Sequence, residues 1–179
     1  MKTLTATLTL VILTSILNIS TSSANHLKKG SKLFNLELND FQKKDVEIMN
    51  FVAGNKYTVI TFFADYCSPC IRELDSINKK YLHWKNNFNT GFVSICVSND
   101  QNINRIKERT ENNNWSFPVL LDNRGEAMNI LRIAHIPYTI IVDENGKIVY
   151  QQDGYSVENI SNIEKIISEG VSIEAVAIK

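Results

Sequence analysis

Residues 57–70, YTVITFFADYCSPC, constrain this chain more than any other stretch. Tyr57–Phe63 is an uncharged run of β-branched and aromatic residues, the pattern of a strand covered on both faces of a sheet. A helical period takes over a few residues later. Turning about 100° per residue from Cys70, the side chains of Leu74, Ile77, Tyr81 and Trp84 fall within about 40° of one line, while Arg72, Asp75, Ser76 and Lys79 point away. A buried strand therefore feeds directly into an amphipathic helix. Cys67 stands at the helix N-terminus and Cys70 on its inner stripe, and Asn86–Asn89 with Gly91 beyond mark the expected end.

The rest of the chain repeats this alternation. Ser31–Leu38 suggests a short strand, and Val46, Ile48 and Phe51 precede a turn at Gly54-Asn55. Phe92–Val97 is a second central strand, Asn102–Asn112 a polar helix, Phe117–Leu121 a strand entry and Gly125–Leu131 another helix. Tyr138–Val142 turns through Asp143-Glu144-Asn145-Gly146 into Lys147–Gln151, a strong hairpin signal. Val157–Ser168 is the last helix, with Ile160, Ile163, Ile166 and Ile167 on one face and Gly170 as its stop. Strands alternating with helices and closing on a hairpin describe an α/β domain, a mixed sheet with helices on both faces. At 179 residues there is room for one such domain. Its nineteen basic and nineteen acidic side chains cancel, so no overall field draws nucleic acid.

The first residues follow a different logic. Met1-Lys2 leads into an uncharged apolar run, Leu4–Leu17, and then into Ser20-Thr21-Ser22-Ser23-Ala24. That is the layout of a secretory signal peptide over residues 1–24, cut after Ala24, and the run is short for a spanning helix. Left uncut, it would act as a membrane tether. The mature domain is then 25–179, outside the cytoplasm, where disulfides persist.

Export bears on the three cysteines. A four-ligand zinc site needs a second pair with ligand spacing, and only Cys96 and three scattered histidines remain. A bridge between Cys67 and Cys70 closes too small a loop to restrict the unfolded chain much. Redox chemistry is the leading reading, and the junction suits it. Unpaired N–H groups at a helix start favour negative charge and ease formation of a thiolate on the first turn. The Cys67 thiolate can attack a disulfide, and Cys70, one turn deeper, can attack the resulting mixed disulfide and release the product. Pro69 removes a backbone donor and stiffens the turn. Cys96, inside an apolar strand, reads as a small buried hydrophobe.

With these residues in view, the chain resembles the TlpA/ResA-like branch of thioredoxin-fold proteins, exported thiol–disulfide oxidoreductases. The resemblance runs from about Phe34 to Tyr155. Phe62–Cys70 stands where the family has "FWATWCPPC", and "FPVLLD" is intact at Phe117–Asp122. His135-Ile136-Pro137-Tyr138-Thr139 matches the loop usually written "GIPTT", and Asp143–Tyr150 with Gly154-Tyr155 completes the pattern. The three prolines of the chain, Pro69, Pro118 and Pro137, each fall on a family proline.

The resemblance implies a thioredoxin-like fold with an N-terminal TlpA-type extension. It implies a redox-active Cys67–Cys70 disulfide with no further cofactor and no metal. It implies a cis bond before Pro137, with Ile136 offering its backbone to a bound substrate strand. A family glutamate corresponds to Glu73, which shares a helix face with Cys70. Partly buried there, it would have a raised pKa and could take the Cys70 proton. The implied activity is reduction of protein disulfides in the periplasm or another extracytoplasmic space, as in cytochrome c maturation. Electrons would come from a membrane thiol donor. A monomer is expected.

Four departures stand out. Tyr66 replaces the usual tryptophan and is expected to keep its packing role beside the substrate site. Asp75 stands at a frequent proline position, which puts the usual helix kink in doubt. His135 replaces a glycine and would favour the Cys67 thiolate if protonated beside it. Tyr138 would narrow the substrate groove. Two other chemistries compete with the redox reading. Cys67, Cys70 and His135 could hold copper(I), although related copper chaperones use CxxxC. Cys67 could attack peroxide, although the Pro-x-x-x-Thr-x-x-Cys pattern of peroxiredoxins is absent.

Overall fold

The computed structural model describes residues 29–98 and 103–170. The signal peptide expected over residues 1–24 and the tail 171–179 lie outside the described residues. Among those described, no helix is long and apolar enough to cross a membrane.

Twelve elements follow one another among the described residues: β1 (Glu37–Asn39), β2 (Asp45–Glu47), α1 (Met49–Val52), β3 (Tyr57–Phe63), α2 (Ser68–Phe88), β4 (Thr90–Cys96), α3 (Ile103–Asn112), β5 (Val119–Leu121), α4 (Glu126–Leu131), β6 (Tyr138–Asp143), β7 (Ile148–Asp153) and α5 (Val157–Glu169). The strands form one sheet in the order β2-β1-β5-β4-β3-β6-β7. β3, β4 and β5 are parallel, joined by crossovers through α2 and α3. β6 runs antiparallel to β3, and β7 antiparallel to β6.

Alternation along β3 divides the core in two. Val59 and Phe63 face α2, α3 and α5, where Leu74, Ile77, Trp84, Ile106, Ile163 and Ile167 are buried. Ile60 and Phe62 face the opposite side, with Val52 of α1 and Ala127 and Leu131 of α4. Helices thus cover both faces, as the sequence pattern requires. Each fully buried Leu, Ile or Phe in these layers contributes about 1.5–3 kcal/mol.

Two helix ends explain how the elements stay in place. α2 stops because Asn89 adopts φ 48°, a left-handed conformation asparagine tolerates, and its N–H donates to the Trp84 carbonyl. α4 begins where buried Asp122 accepts the N–H groups of Ala127 and Met128, so the last residue of FPVLLD is a cap.

The strand expected over Ser31–Leu38 does not form. Only Glu37–Asn39 pairs as a strand, with one isolated bridge from Lys32 to Lys147. Leu33, Leu36 and Leu38 are all buried in the same core layer, while Phe34 is 60% exposed. A spacing of three then two is neither strand nor helix period, so the segment bends to bring those leucines to one face. With β2, it adds an antiparallel flank to the sheet beside β5, the place of the expected N-terminal extension.

Candidate active site

The last residues of β3 aim the chain at the start of α2. Cys67 is the N-cap of that helix, and the Cys70 N–H donates to its Sγ at 3.3 Å. Cys67 is half-buried, Cys70 is fully buried, and the two form a disulfide. Pro69 sits in the first turn, where its missing N–H costs no helix bond. Negative charge on Cys67 sulfur would therefore meet the positive end of a 21-residue helix.

The Ile136–Pro137 peptide is cis, and the Ile136 carbonyl oxygen lies 4.0 Å from Cys67 Sγ. A disulfide sulfur has no proton to donate, so this is proximity rather than a hydrogen bond. The loop is pinned from behind. The Gly154 N–H donates to the Pro137 carbonyl at 2.9 Å, and the Tyr155 and Ser76 hydroxyls bond at 2.9 Å, tying the segment after β7 to α2. Gly154-Tyr155 thereby gains a physical role.

Glu73 lies deeper than the stripe edge expected from the sequence: it is fully buried. Its Oε1 accepts a 2.8 Å bond from the Thr139 hydroxyl, and Thr139 Oγ1 is 2.8 Å from Thr61 Oγ1. Register explains the trio, because Thr61 of β3 and Thr139 of β6 are cross-strand partners on the face that meets α2. Burial raises the Glu73 pKa from 4.5 to about 7, against the opposing pull of the Thr139 bond. Its Oε2 is buried and has no hydrogen-bond partner among the described residues. A carboxyl group of this kind, one turn along the face from Cys70, is suited to general acid–base work at neutral pH.

The other residues singled out in the sequence lie at varied depths. Tyr66 is 73% exposed at the surface beside Cys67. Asp75 and Ser76 do not simply face solvent. Asp75 Oδ1 accepts from Trp115 Nε1 and Asn113 Nδ2, both at 2.8 Å, and α2 runs unbroken through it. Tyr138 is half-buried and packs against the core layer on the side away from α2. His135 is exposed and has no hydrogen bond to either cysteine. Cys96 is a buried free thiol whose pKa burial pushes up. Among the described residues, no three His, Cys, Asp or Glu side chains gather into a metal site.

Sequence reasoning missed a second network. Asp65, two residues before Cys67, is buried; its Oδ1 accepts from the Ser98 hydroxyl at 2.7 Å, and its Oδ2 lies 2.9 Å from Arg105 Nη2 of α3. That contact is an ion pair more than an aligned hydrogen bond. An aspartate between Ala64 and Tyr66, after an apolar strand, was the available signal.

With this geometry in place, the chain can be set beside known proteins. The model of the AhpC/TSA family matches residues 29–151. The chain is 23% identical over 133 residues to the thiol-disulfide oxidoreductase ResA of Bacillus cereus, covering 74% of each. It is 30% identical over 106 residues to sporulation thiol-disulfide oxidoreductase A of Bacillus subtilis, covering 59% of this chain and 62% of that protein. The solution structure of a thioredoxin-like protein from Porphyromonas gingivalis superposes with a TM-score of 0.68 at 31% identity, covering 80% of this chain and 94% of the other.

Proposed function

The chain belongs to the AhpC/TSA family and is a thioredoxin-like thiol–disulfide oxidoreductase with a Cys67–Cys70 pair, and from this we propose that it is exported and reduces protein disulfides outside the cytoplasm. In this reading Cys67 is the nucleophile, Cys70 the resolving thiol and Glu73 the group that takes the Cys70 proton. The cysteine pair carries the electrons, with no further cofactor proposed. A membrane thiol donor returns the electrons, and cytochrome c maturation is a fitting pathway.

The chemistry balances through two exchanges. The Cys67 thiolate attacks one sulfur of a substrate disulfide. That bond breaks, the departing sulfur leaves as a thiolate and is protonated, and a mixed disulfide forms. Cys70 gives its proton to Glu73 and attacks Cys67 Sγ. The mixed disulfide breaks, the second substrate sulfur leaves, and the Cys67–Cys70 bond closes with two electrons passed to the substrate. Ile136 and Pro137 line the approach beside Cys67, and the exposed Tyr66 flanks it. An extended substrate segment can pair with the Ile136 backbone there.

The observation that carries the reading is the asymmetry of the pair: one sulfur half-exposed at the N-cap of α2, the other shielded one turn inward. Cys70→Ser is expected to accumulate a mixed disulfide with a protein substrate such as oxidised insulin, and Cys67→Ser to form none. Mass spectrometry of the trapped species checks this. Turnover by Cys67→Ser, or no adduct on Cys70→Ser, would overturn the assignment.

A further inference from the structure

We propose that the groove between the first turn of α2 and the face of α3 binds an acidic segment of the protein whose disulfide Cys67 attacks. The groove, about 360 Å³, is bordered by Tyr66 and Ser68, the two chain neighbours of Cys67, and by Arg72, Arg105 and Arg109. Arg105 and Arg109 are four residues apart and share one face of α3. Among the described residues, the one carboxylate lining this space is Asp65, whose side chain is 1% exposed and paired with Arg105. It anchors that arginine and offers no repulsion to an incoming acid. Neither Arg72 nor Arg109 has an ion-pair partner among the described residues. Glu108 and Glu111 of α3 lie outside the lining. Two guanidinium charges are thus left over, in a chain whose total charge is zero. The concentration is local.

The chemistry of the lining identifies the occupant. Guanidinium groups match carboxylates as planar forks, and an exposed tyrosine beside arginines is the composition of a protein-binding surface. The groove begins at the residues flanking the nucleophile, so its occupant is continuous with whatever polypeptide reaches Cys67. Glutamate or aspartate side chains near the substrate cysteine would be drawn in and held in register for attack. The inference deepens the proposed function and rests on it.

The test uses two synthetic peptides, each closed by one disulfide and identical except that glutamates flank a cysteine in one and lysines in the other. Each rate with the reduced protein is taken relative to the rate with dithiothreitol, which removes the intrinsic reactivity of the peptide. At low ionic strength the glutamate peptide is expected to react about three- to tenfold faster. The preference is expected to vanish in about 0.5 M salt, and in Arg72→Ala/Arg109→Ala, and to survive in Arg109→Lys at a reduced level. Arg72→Glu, which keeps an exposed polar side chain, is expected to favour the lysine peptide. Equal rates with the unmodified protein, or a preference that persists in the double variant, would overturn the proposal. Reduction of neutral hydroxyethyl disulfide by the unmodified protein separates the two levels. If it proceeds while the peptides react equally, the groove assignment alone fails; if it does not proceed, the thiol chemistry fails and the groove assignment with it.

Discussion

Replacing Glu73 by glutamine should change how stability depends on pH, with a magnitude fixed by burial. The glutamate pKa moves from 4.5 when solvated to about 7 in the fold. Below 4.5 the folded and unfolded chains both hold the proton, and the residue contributes no pH dependence. Between 4.5 and about 7 the folded chain keeps a proton that the unfolded chain releases, so stability falls as pH rises. Above 7 both are ionised and the whole penalty is in force. The gap corresponds to about 3 kcal/mol, the order of one buried leucine, so the effect is measurable. Glu73→Gln has nearly the same shape and cannot ionise. Urea unfolding of both proteins in the disulfide form, from about pH 4 to about pH 8, isolates the residue because all other groups titrate in both. The two should be close in stability at the acid end, and the variant should be the more stable by about 3 kcal/mol at the alkaline end. A stability difference that stays constant across this window would refute the argument that the buried carboxyl holds its proton near neutrality. The same variant should lose the inflection near pH 7 in the rate at which the mixed disulfide is resolved.

Thr139→Val should raise the Glu73 pKa above about 7, because the lost hydroxyl bond favours the ionised form; the midpoint of the same stability-versus-pH curve should move to higher pH, and a shift downward would refute the account. Asp75→Ala should destabilise the fold by about 1–3 kcal/mol, since Trp115 Nε1, in a residue only 7% exposed, and Asn113 lose their acceptor together. Urea unfolding followed by tryptophan fluorescence measures it, and a change below about 0.5 kcal/mol would mean that water replaces the carboxylate without cost.

Where local pattern and tertiary environment agree, the chain can be read directly. β3 forms over Tyr57–Phe63 as expected because a strand covered on both faces needs no alternation to declare itself. α2 ends beside Asn86–Asn89 because asparagine itself supplies the left-handed cap. The cysteine pair was legible because the strand before it and the helix after it, both adjacent in sequence, set one sulfur at the helix start and the other on the buried stripe. Contacts between distant segments were not legible. Thr61 and Thr139 meet only through the register of β3 with β6, and nothing in either strand shows that a glutamate from α2 will accept the Thr139 hydroxyl. Asp75 looked like a solvated helix residue until the loop after α3 brought Trp115 onto it. The Ser31–Leu38 segment misled for a complementary reason. Its leucines are buried by the sheet edge and α4, not by pairing with a neighbouring strand along their length.

The placement of β3 governs which fluctuations reach the sulfurs. It is hydrogen-bonded to β4 over seven residues on one side and to β6 over six on the other, while the short β2 and the outermost β7 carry the sheet's margins. Opening that starts at a margin can relax several strands away without displacing the central strand, whose amides should be the last to exchange with deuterium. The strand that delivers the chain to Cys67 should therefore be the slowest of the sheet to open, and disturbance at the flanks should reach the start of α2 last.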